Sequence, residues 1–406
     1  MVSASKGKPM SRQFAWILAL FLLLGACSTP RPSPTPTGDI TSIPQAATAT
    51  PFEPDPTATV VKATNTPPPS PTPVLQAHGP DNFPANINPL TGLPVDDLSL
   101  LERRPVAVKI TLMPRSSRPQ YGLSMADLVY EFYQNGGISR FHAIFYGVDV
   151  ERAGPVRSAR FPDENLIRMY KSIFAFGSGD ARVLSRFGFA EFFPYLVSEY
   201  PAACGPMCRI DPNGKNHLVT NTKDLTDYIR GLGLENDRQN LDGMRFDPAV
   251  PTGGVPLEQL YVRYGPQIYS RWDYDAATNR YLRFQDTQDD LGIGEAYAPM
   301  IDQTNDQQIA ADNVVVVLVP HEYFSQNPEI IEIRMGGSGQ AFALRDGQLF
   351  ELSWSVPTIN TVLSLTYPDG SPFPFRPGNT WFYLLGQTSQ KTEPEPGTLR
   401  FSYRIP

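Results

Sequence analysis

The stretch Leu128-Val-Tyr-Glu-Phe-Tyr-Gln-Asn-Gly-Gly-Ile-Ser-Arg-Phe-His-Ala-Ile-Phe-Tyr146 contains two apolar runs with a glycine pair between them. Short apolar runs bounded by turn residues predict β-strands. Similar runs at 106–110 and 173–176 predict two more strands. Because helical candidates lie among and after these strands, we expect a mixed α/β first domain over residues 86–245. The candidate helices cover 163–171, 181–187 and 222–232, the last with Thr222 as its N-cap and Gly233 as its stop.

The second half of the chain has a different pattern, because short strand-like runs dominate it and helical periodicity is nearly absent. The pair Asp346-Gly347 between two of these runs is a strong hairpin signal. We therefore expect an α+β protein, in which the mixed α/β domain is followed by a mostly-β domain over 246–396 and a tail over 397–406. The predicted strands are 261–264, 268–274, 281–284, 314–319, 330–335, 341–345, 349–353 and 380–385.

The N-terminus has the three parts of an export signal. A basic stretch over 6–12 precedes an apolar run over 14–24, and Leu24-Gly-Ala-Cys27 resembles the bacterial lipobox. The apolar run is too short to span a bilayer and fits the core of a secretory signal. We predict a signal peptide over 1–26 and a lipid-acylated Cys27 that anchors the protein to the bilayer, on the extracytoplasmic face of the cell membrane. The alternative is an uncleaved anchor with an incidental cysteine.

A proline-rich segment follows the lipobox. Residues 28–84 hold 15 prolines interleaved with Thr, Ser and Ala. Such a segment has too little apolar surface to offset the entropy of ordering it, and proline biases it toward extended polyproline II. At roughly 3.1 Å per residue it can extend on the order of 150 Å. We therefore expect residues 27–85 to be the lipidated cysteine and a disordered tether.

The balance of charged residues limits the kinds of partner that the protein can bind. The predicted signal peptide contains three of the 34 basic residues and none of the 41 acidic residues, so the mature chain has a net charge of about −10. Nucleic-acid binding needs a basic face, and this composition argues against it. Besides Cys27 the chain has only Cys204 and Cys208, for which we expect a local disulfide, with free thiols as the alternative.

Several stretches resemble the YerB-like lipoproteins, a two-domain family of unknown function. The most specific is Gly154-Pro-Val-Arg-Ser-Ala-Arg160. The others are 88–94, 118–127, 129–131, 136–141, 281–283, 309–317, 345–347, Trp354 and 377–381. The chain departs from the family at Lys109-Ile-Thr-Leu112, where such proteins tend to carry an acid and an amide. The resemblance implies an extracytoplasmic lipoprotein and brings no established reaction.

Three arginines and a glycine-rich loop form the strongest site candidate. The loop Gly177-Ser-Gly-Asp180 follows a predicted strand and precedes a predicted helix, and such turns offer free N–H groups to anions. Arginine adds bidentate contacts to phosphate or carboxylate. We predict an anion site that comprises Arg140, Arg157, Arg160, Ser178, Gly179, Asp180 and His217. In the structural alternative, Arg157 and Arg160 pair with Asp127, Glu131 or Glu164.

Two functional classes fit this site. The first is a binding or assembly protein that holds an anionic cell-wall group, a lipid-linked glycan or an unknown protein partner. The second is an envelope phosphotransferase or hydrolase, which would need a divalent cation near Asp163, Glu164 or Asp180. The loop lacks the spacing of a nucleophile elbow, and the four histidines lack metal-ligand spacing. We therefore favour binding, with no catalytic residue assigned and no metal or cofactor expected.

Overall fold

The computed structural model describes residues 75–199, 204–211, 213–214 and 217–405. They fall within one compact unit that spans Pro71–Pro406. The predicted signal peptide, Cys27 and most of the predicted tether lie outside the described residues. Within the described ranges, no helix combines the length and apolarity needed to cross a membrane.

The elements of the described chain are numbered here in sequence order. The helices are α1 Phe161–Tyr170, α2 Ala181–Gly188 and α3 Thr222–Gly231. The strands of the first half are β1 Val106–Thr111, β2 Leu128–Asn135, β3 Ile138–Phe145, β4 Ile173–Phe176, β5 Leu196–Ser198, β6 Met207–Arg209, β7 Leu218–Thr220 and β8 Arg245–Phe246. Those of the second half are β9 Val255–Pro256, β10 Gln259–Arg263, β11 Tyr269–Asp275, β12 Arg280–Asp286, β13 Tyr297–Pro299, β14 Ala310–Ala311, β15 Asn313–Val319, β16 His321–Gln326, β17 Glu329–Ile333, β18 Gly337–Arg345, β19 Gln348–Val356, β20 Ser364–Thr366, β21 Pro374–Phe375, β22 Thr380–Gly386, β23 Gln390–Thr392 and β24 Thr398–Ser402.

The α+β prediction is confirmed. The helices of the described chain all lie in the first half, and the second half consists of strands and turns. The four strands predicted in the first half are present, and so is the hairpin at Asp346-Gly347. Both residues of that turn have positive φ, 51° and 71°, which is the conformation that a two-residue hairpin turn requires.

One mixed sheet of 11 strands takes strands from both halves of the sequence. Its order is β20-β19-β18-β15-β22-β2-β3-β1-β4-β5, with β9 beside β19. The junction is β22, which runs parallel to β15 on one side and parallel to β2 on the other. The boundary expected at 245–246 therefore does not separate two independently packed bodies, because β22 pairs with β15 of the second half and with β2 of the first half.

A second sheet of seven strands lies in the second half of the sequence, with the order β13-β12-β11-β10-β24-β23 and β14 beside β12. Its strand β24 runs parallel to β10, and its Leu399 and Phe401 are fully buried. The prediction of a tail over 397–406 is therefore wrong, because these apolar side chains belong to the core. The predicted end of the tether also shifts, since His78 pairs with Phe246 through two backbone hydrogen bonds.

The N-cap of α3 also differs from the prediction. Asn221 caps the helix, and its side chain accepts hydrogen bonds from the N–H groups of Lys223 and Asp224. The Thr222 hydroxyl instead contacts Asp149 and accepts the N–H of Val150. Both Asn and Thr are good caps, so a tertiary contact decided between them.

A buried ion pair joins the two sheets. The Arg283 guanidinium of β12 lies 2.9 Å from the Glu131 carboxylate of β2, and both side chains are fully buried. The same guanidinium lies 4.3 Å from the ring centroid of Trp381, and it donates a hydrogen bond to Tyr383. Burial raises the pKa of Glu131 even though Arg283 opposes that shift. Each buried charge is therefore compensated by the opposite charge of its partner.

We expect Arg283→Met to lower the free energy of unfolding by about 3–5 kcal/mol, because the change leaves a buried carboxylate without its cation. Glu131→Gln combined with Arg283→Met should recover much of that loss, since the orphaned charge is then absent. Urea unfolding followed by circular dichroism measures both effects. As a control, Arg334→Met breaks an exposed pair with Glu322, and water screens such a pair so well that its loss should change the free energy of unfolding far less. Equal losses for Arg283→Met and Arg334→Met would contradict this interpretation.

Candidate functional site

The arginine segment and the glycine loop meet at one edge of the large sheet. Strands β1 and β4 are parallel, so the residues that follow them emerge at the same edge. The segment 154–160 lies between them: the Arg157 N–H donates to the Lys109 carbonyl at 2.8 Å, and the Gly177 N–H donates to the Arg157 carbonyl at 2.9 Å. The Ala159 N–H donates to the Ser178 carbonyl at 2.8 Å. These backbone contacts fix the loop beside the arginines.

Arg140 belongs to the same edge, because it lies opposite Thr111 at the start of β3. One nitrogen of Arg140 donates to the Ser158 carbonyl at 2.7 Å, and one nitrogen of Arg160 donates to the Ala159 carbonyl at 2.9 Å. Within the described residues, neither guanidinium forms a salt bridge, and the Arg140 Nε is buried without a hydrogen-bond partner. Each arginine therefore keeps donors that backbone carbonyls do not use.

The surroundings of Arg140 and Arg160 disfavour the positive charge of their guanidinium groups. Burial and the positive charges of Arg160 and Arg157 lower the pKa of Arg140 to about 9. Burial also lowers the pKa of Arg160, against the opposing attraction of Asp163 and Asp180. A pKa shift of this direction means that the protein around the charged guanidinium compensates its charge less well than water does. A bound anion would supply that charge.

The acidic residues of the structural alternative have other partners. Asp127 accepts the N–H groups of Tyr146 and Gly147, Glu131 binds Arg283, and Glu164 binds Arg168. Among the described residues, no ion pair joins any of these three carboxylates to Arg160. The arginine segment is held by its backbone rather than by these carboxylates.

A buried polar cluster supports the segment from beneath. The Asp163 Oδ1 lies 2.9 Å from the Lys109 Nζ and 2.9 Å from the His142 Nδ1, and all three side chains are fully buried. The Asp163 Oδ2 accepts the N–H of Arg160 at 2.7 Å, which caps α1 and fixes the backbone of that arginine. The Lys109 Nζ also lies 3.8 Å from the ring centroid of Phe132.

Burial sets the charges in this cluster. It lowers the pKa of Lys109 to about 7, an effect that the attraction of Asp163 only partly offsets. It also lowers the pKa of His142. For Asp163, burial would raise the pKa, but Lys109 and His142 outweigh it and the net shift is downward. The sequence had shown Lys109 only as a departure from the family pattern and His142 only as one of four histidines without metal-ligand spacing, so their joint role was missed.

The three predicted residues of the glycine loop have different contacts. Ser178 lies in the site, with its hydroxyl oxygen 3.0 Å from that of Ser158, and Gly179 packs against Leu184. Asp180 caps α2 and binds Arg182, and these contacts lower its pKa to about 2. The contacts of Asp180 are therefore those of a helix N-cap.

His217 lies in a different environment from the arginines. Its Nδ1 is 3.7 Å from an oxygen of Asp211, and it lines a pocket together with Arg118, Tyr121 and Pro155. The described lining of that pocket does not include the three arginines. Cys204 and the β6 residue Cys208, which precede this region, are joined by a disulfide in the structure.

The carboxylates that a metal-dependent reaction would need are engaged. Asp163 binds Lys109 and His142, and Asp180 binds Arg182. Over the described ranges, no three His, Cys, Asp or Glu side chains are grouped so that they could hold a metal ion. Arg140, the arginine segment 154–160 and the glycine loop 177–180 are together called the arginine loop below, and their residues suit an anion rather than a cation.

The fold and the site together define an α+β protein with a shared central sheet and a half-buried arginine loop. The profile described as "Protein of unknown function (DUF3048) N-terminal domain" matches residues 90–235, and its C-terminal counterpart matches residues 260–382. The chain belongs to this family, that of the YerB-like proteins.

YerB from Bacillus subtilis supports this assignment through both its sequence and its crystal structure. The chain is 29% identical over 306 residues to YerB of strain 168, a protein designated a candidate lipoprotein, and the match covers 73% of this chain and 85% of YerB. A crystal structure of YerB has a TM-score of 0.62 to this fold, with 24% identity over 74% of this chain and 96% of that chain. The structural match shows the shared fold.

The buried cluster predicts a specific pH dependence. Since the pKa of Lys109 is lower in the folded chain than in the unfolded chain, the unfolded chain holds more protons between about pH 7 and about pH 10. This group therefore makes the free energy of unfolding rise with pH in that window. We expect Lys109→Met to flatten the rise relative to the wild type when stability is measured by urea unfolding at several pH values.

Lys223→Met provides the control for this measurement. Lys223 is exposed on α3 and pairs with Asp227, which raises its pKa instead of lowering it. Its replacement should leave the upward slope in place. Parallel stability curves for Lys109→Met and the wild type across the window would show that Lys109 titrates normally.

Proposed function

We propose that this protein is a membrane-anchored, extracytoplasmic binding or assembly protein, and that its arginine loop holds an anionic group of a cell-wall polymer or a lipid-linked glycan. The observation that carries the proposal is the crowding of Arg140 and Arg160. Each guanidinium is partly buried and hydrogen-bonded to a backbone carbonyl, and Arg140 is repelled by Arg160 and Arg157.

An anion at this position would remove two unfavourable features of the site, which are unused hydrogen-bond donors and repulsion between positive charges. It would accept hydrogen bonds from guanidinium donors that the protein leaves unused, and charge-assisted bonds of this kind are roughly twice as strong as neutral ones. It would also reduce the repulsion between the arginines. The exposed Ser178 and the partly exposed Arg140 and Arg160 leave the site open on one side. The mature chain is acidic overall, so this positive charge is a local feature.

The backbone geometry supports binding over turnover. The segment 154–160 is hydrogen-bonded to β1 on one side and to the loop after β4 on the other, so the arginines are preorganised. A preorganised site binds without the cost of ordering its groups. The carboxylates that a phosphotransferase or hydrolase would use are committed to Lys109, His142 and Arg182, and no observation favours that alternative.

Pyrophosphate tests the proposed site. At about 100 times its dissociation constant, it should stabilise the wild type by roughly 2.7 kcal/mol, which a thermal melt detects easily. Arg140→Met and Arg160→Met should each abolish most of the shift, because each removes one set of donors. Arg140→Lys should restore part of it, since the charge remains without the planar fork.

Arg230→Met is the matched control, because Arg230 is an exposed arginine on α3 that interacts with Asp227. It should melt with the same pyrophosphate shift as the wild type. The proposal fails if pyrophosphate does not stabilise the wild type at matched ionic strength. It also fails if the folded Arg140→Met and Arg160→Met variants respond to pyrophosphate as strongly as Arg230→Met does.

The proposed location rests on the lipobox at Leu24–Cys27 and on the name of the Bacillus subtilis relative. We expect Cys27→Ser to prevent acylation and to move the protein from the membrane fraction to the soluble extracytoplasmic fraction. Cell fractionation with immunodetection measures this distribution. Cys204→Ser keeps the lipobox and should stay in the membrane fraction. Continued membrane association of the Cys27→Ser protein would contradict lipid anchoring.

A further inference from the structure

Helix α2 presents an uncharged face to solvent directly after the arginine loop. Its exposed residues are Ala181, Leu184, Ser185 and Gly188, and the side chains of Arg182 and Arg186 lie at the sides, each bound to an acidic residue. The chain then continues into Phe189, which is 91% exposed, and Phe193, which is 55% exposed. Leu184, Phe189 and Phe193 are called the apolar strip below.

The strip is not a remnant of the core. Within the same segment, Phe187 and Phe192 are buried and pack edge-to-face with ring centroids 5.5 Å apart. Phe189 and Phe193 point away from this pair into solvent, although the segment has already satisfied its packing. Large apolar side chains clustered in this way mark a surface that contacts another apolar phase.

The strip borders the proposed anion site. Leu184 packs so closely on the loop that a Cβ at Gly179 would lie 3.0 Å from its Cδ2. A second exposed apolar side chain lies near the same helix: Phe161 directly follows Arg160, and its ring centroid lies 4.8 Å from that of Phe324, which is 48% exposed. Arg186 of α2 lies over both of these rings, so exposed apolar groups adjoin the arginine segment and α2 together.

We propose that the anion bound at the arginine loop is the phosphate head group of a lipid in the bilayer surface, and that the apolar strip enters the interface beside it. This inference rests on the proposed function, because it names the ligand class of the same site. Charge complementarity supports it, since the arginines match a phosphate head group while aromatic side chains favour the interfacial region.

The chain length outside the described region also supports this occupant. Forty-seven residues separate Cys27 from the first described residue, Leu75. At roughly 3.1 Å per extended residue, such a segment reaches on the order of 150 Å. Such a reach allows the body to turn the arginine loop toward the bilayer in which Cys27 is predicted to be anchored.

Vesicle binding tests the inference with the unlipidated chain from residue 28 to residue 406. The chain is mixed with vesicles of phosphatidylcholine alone or of phosphatidylcholine with phosphatidic acid, and bound protein is collected by sedimentation. We expect binding to the phosphatidic acid vesicles only. Phe189→Ser combined with Phe193→Ser should weaken that binding by about tenfold or more, because two large apolar groups no longer enter the interface.

Leu291→Ser combined with Ile293→Ser is the matched control. These two apolar residues are 75% and 73% exposed in a loop between β12 and β13. This variant should bind phosphatidic acid vesicles as the wild type does, whereas Arg140→Met should bind weakly. The Phe189→Ser/Phe193→Ser variant should still gain thermal stability from soluble pyrophosphate, since its arginines are intact.

Different results separate this inference from the proposed function. If pyrophosphate stabilises the wild type but phosphatidic acid vesicles do not bind it, the lipid inference is overturned and the anion site stands with a soluble phosphate or a protein-borne anion as its ligand. Equal vesicle binding by the wild type and the Phe189→Ser/Phe193→Ser variant would also overturn it. If neither pyrophosphate nor the vesicles bind, both proposals fail.

Discussion

The parallel pairing of β22 with β2 is the constraint on which the rest of the structure depends. It places a strand from near the end of the chain beside one from the first half, and β15 then pairs with the other edge of β22. A parallel pair needs a long connection, and here that connection contains almost the whole second half of the sequence. The buried Arg283–Glu131 pair lies across the same junction and ties the second sheet to it.

The position of the arginine loop follows from this frame. Strands β1 and β4 are held parallel on the far side of β2 and β3, so the loops after β1 and β4 meet at one edge, where ligands bind in many sheets of this type. Asp163 then connects the core to the loop, because it binds buried Lys109 and His142 with one oxygen and the Arg160 backbone with the other. The scaffold and the candidate site therefore share one carboxylate.

The site departs from the rule that buried charges are compensated within the chain. The Arg283–Glu131 pair obeys that rule, whereas among the described residues Arg140 and Arg160 form no salt bridge, although Asp163 attracts both of them. Natural proteins accept such local destabilisation mainly at functional sites. The contrast between these two groups of arginines within one fold is the strongest physical reason to propose binding at the loop.

The sequence by itself determined the local features. Apolar runs located β1 to β4, the Asp346-Gly347 pair located a hairpin, and the Gly177–Asp180 loop and the arginines were found through residue types whose chemistry acts over a few positions. Only the tertiary structure decided that β22 joins the two halves, that β24 is a core strand, and that Lys109, His142 and Asp163 form one buried cluster. These contacts join residues far apart in the chain, as with Glu131 and Arg283, which are 152 positions apart. The periodicity of a segment shows which residues need a buried partner, but the partner is chosen by packing across the whole fold.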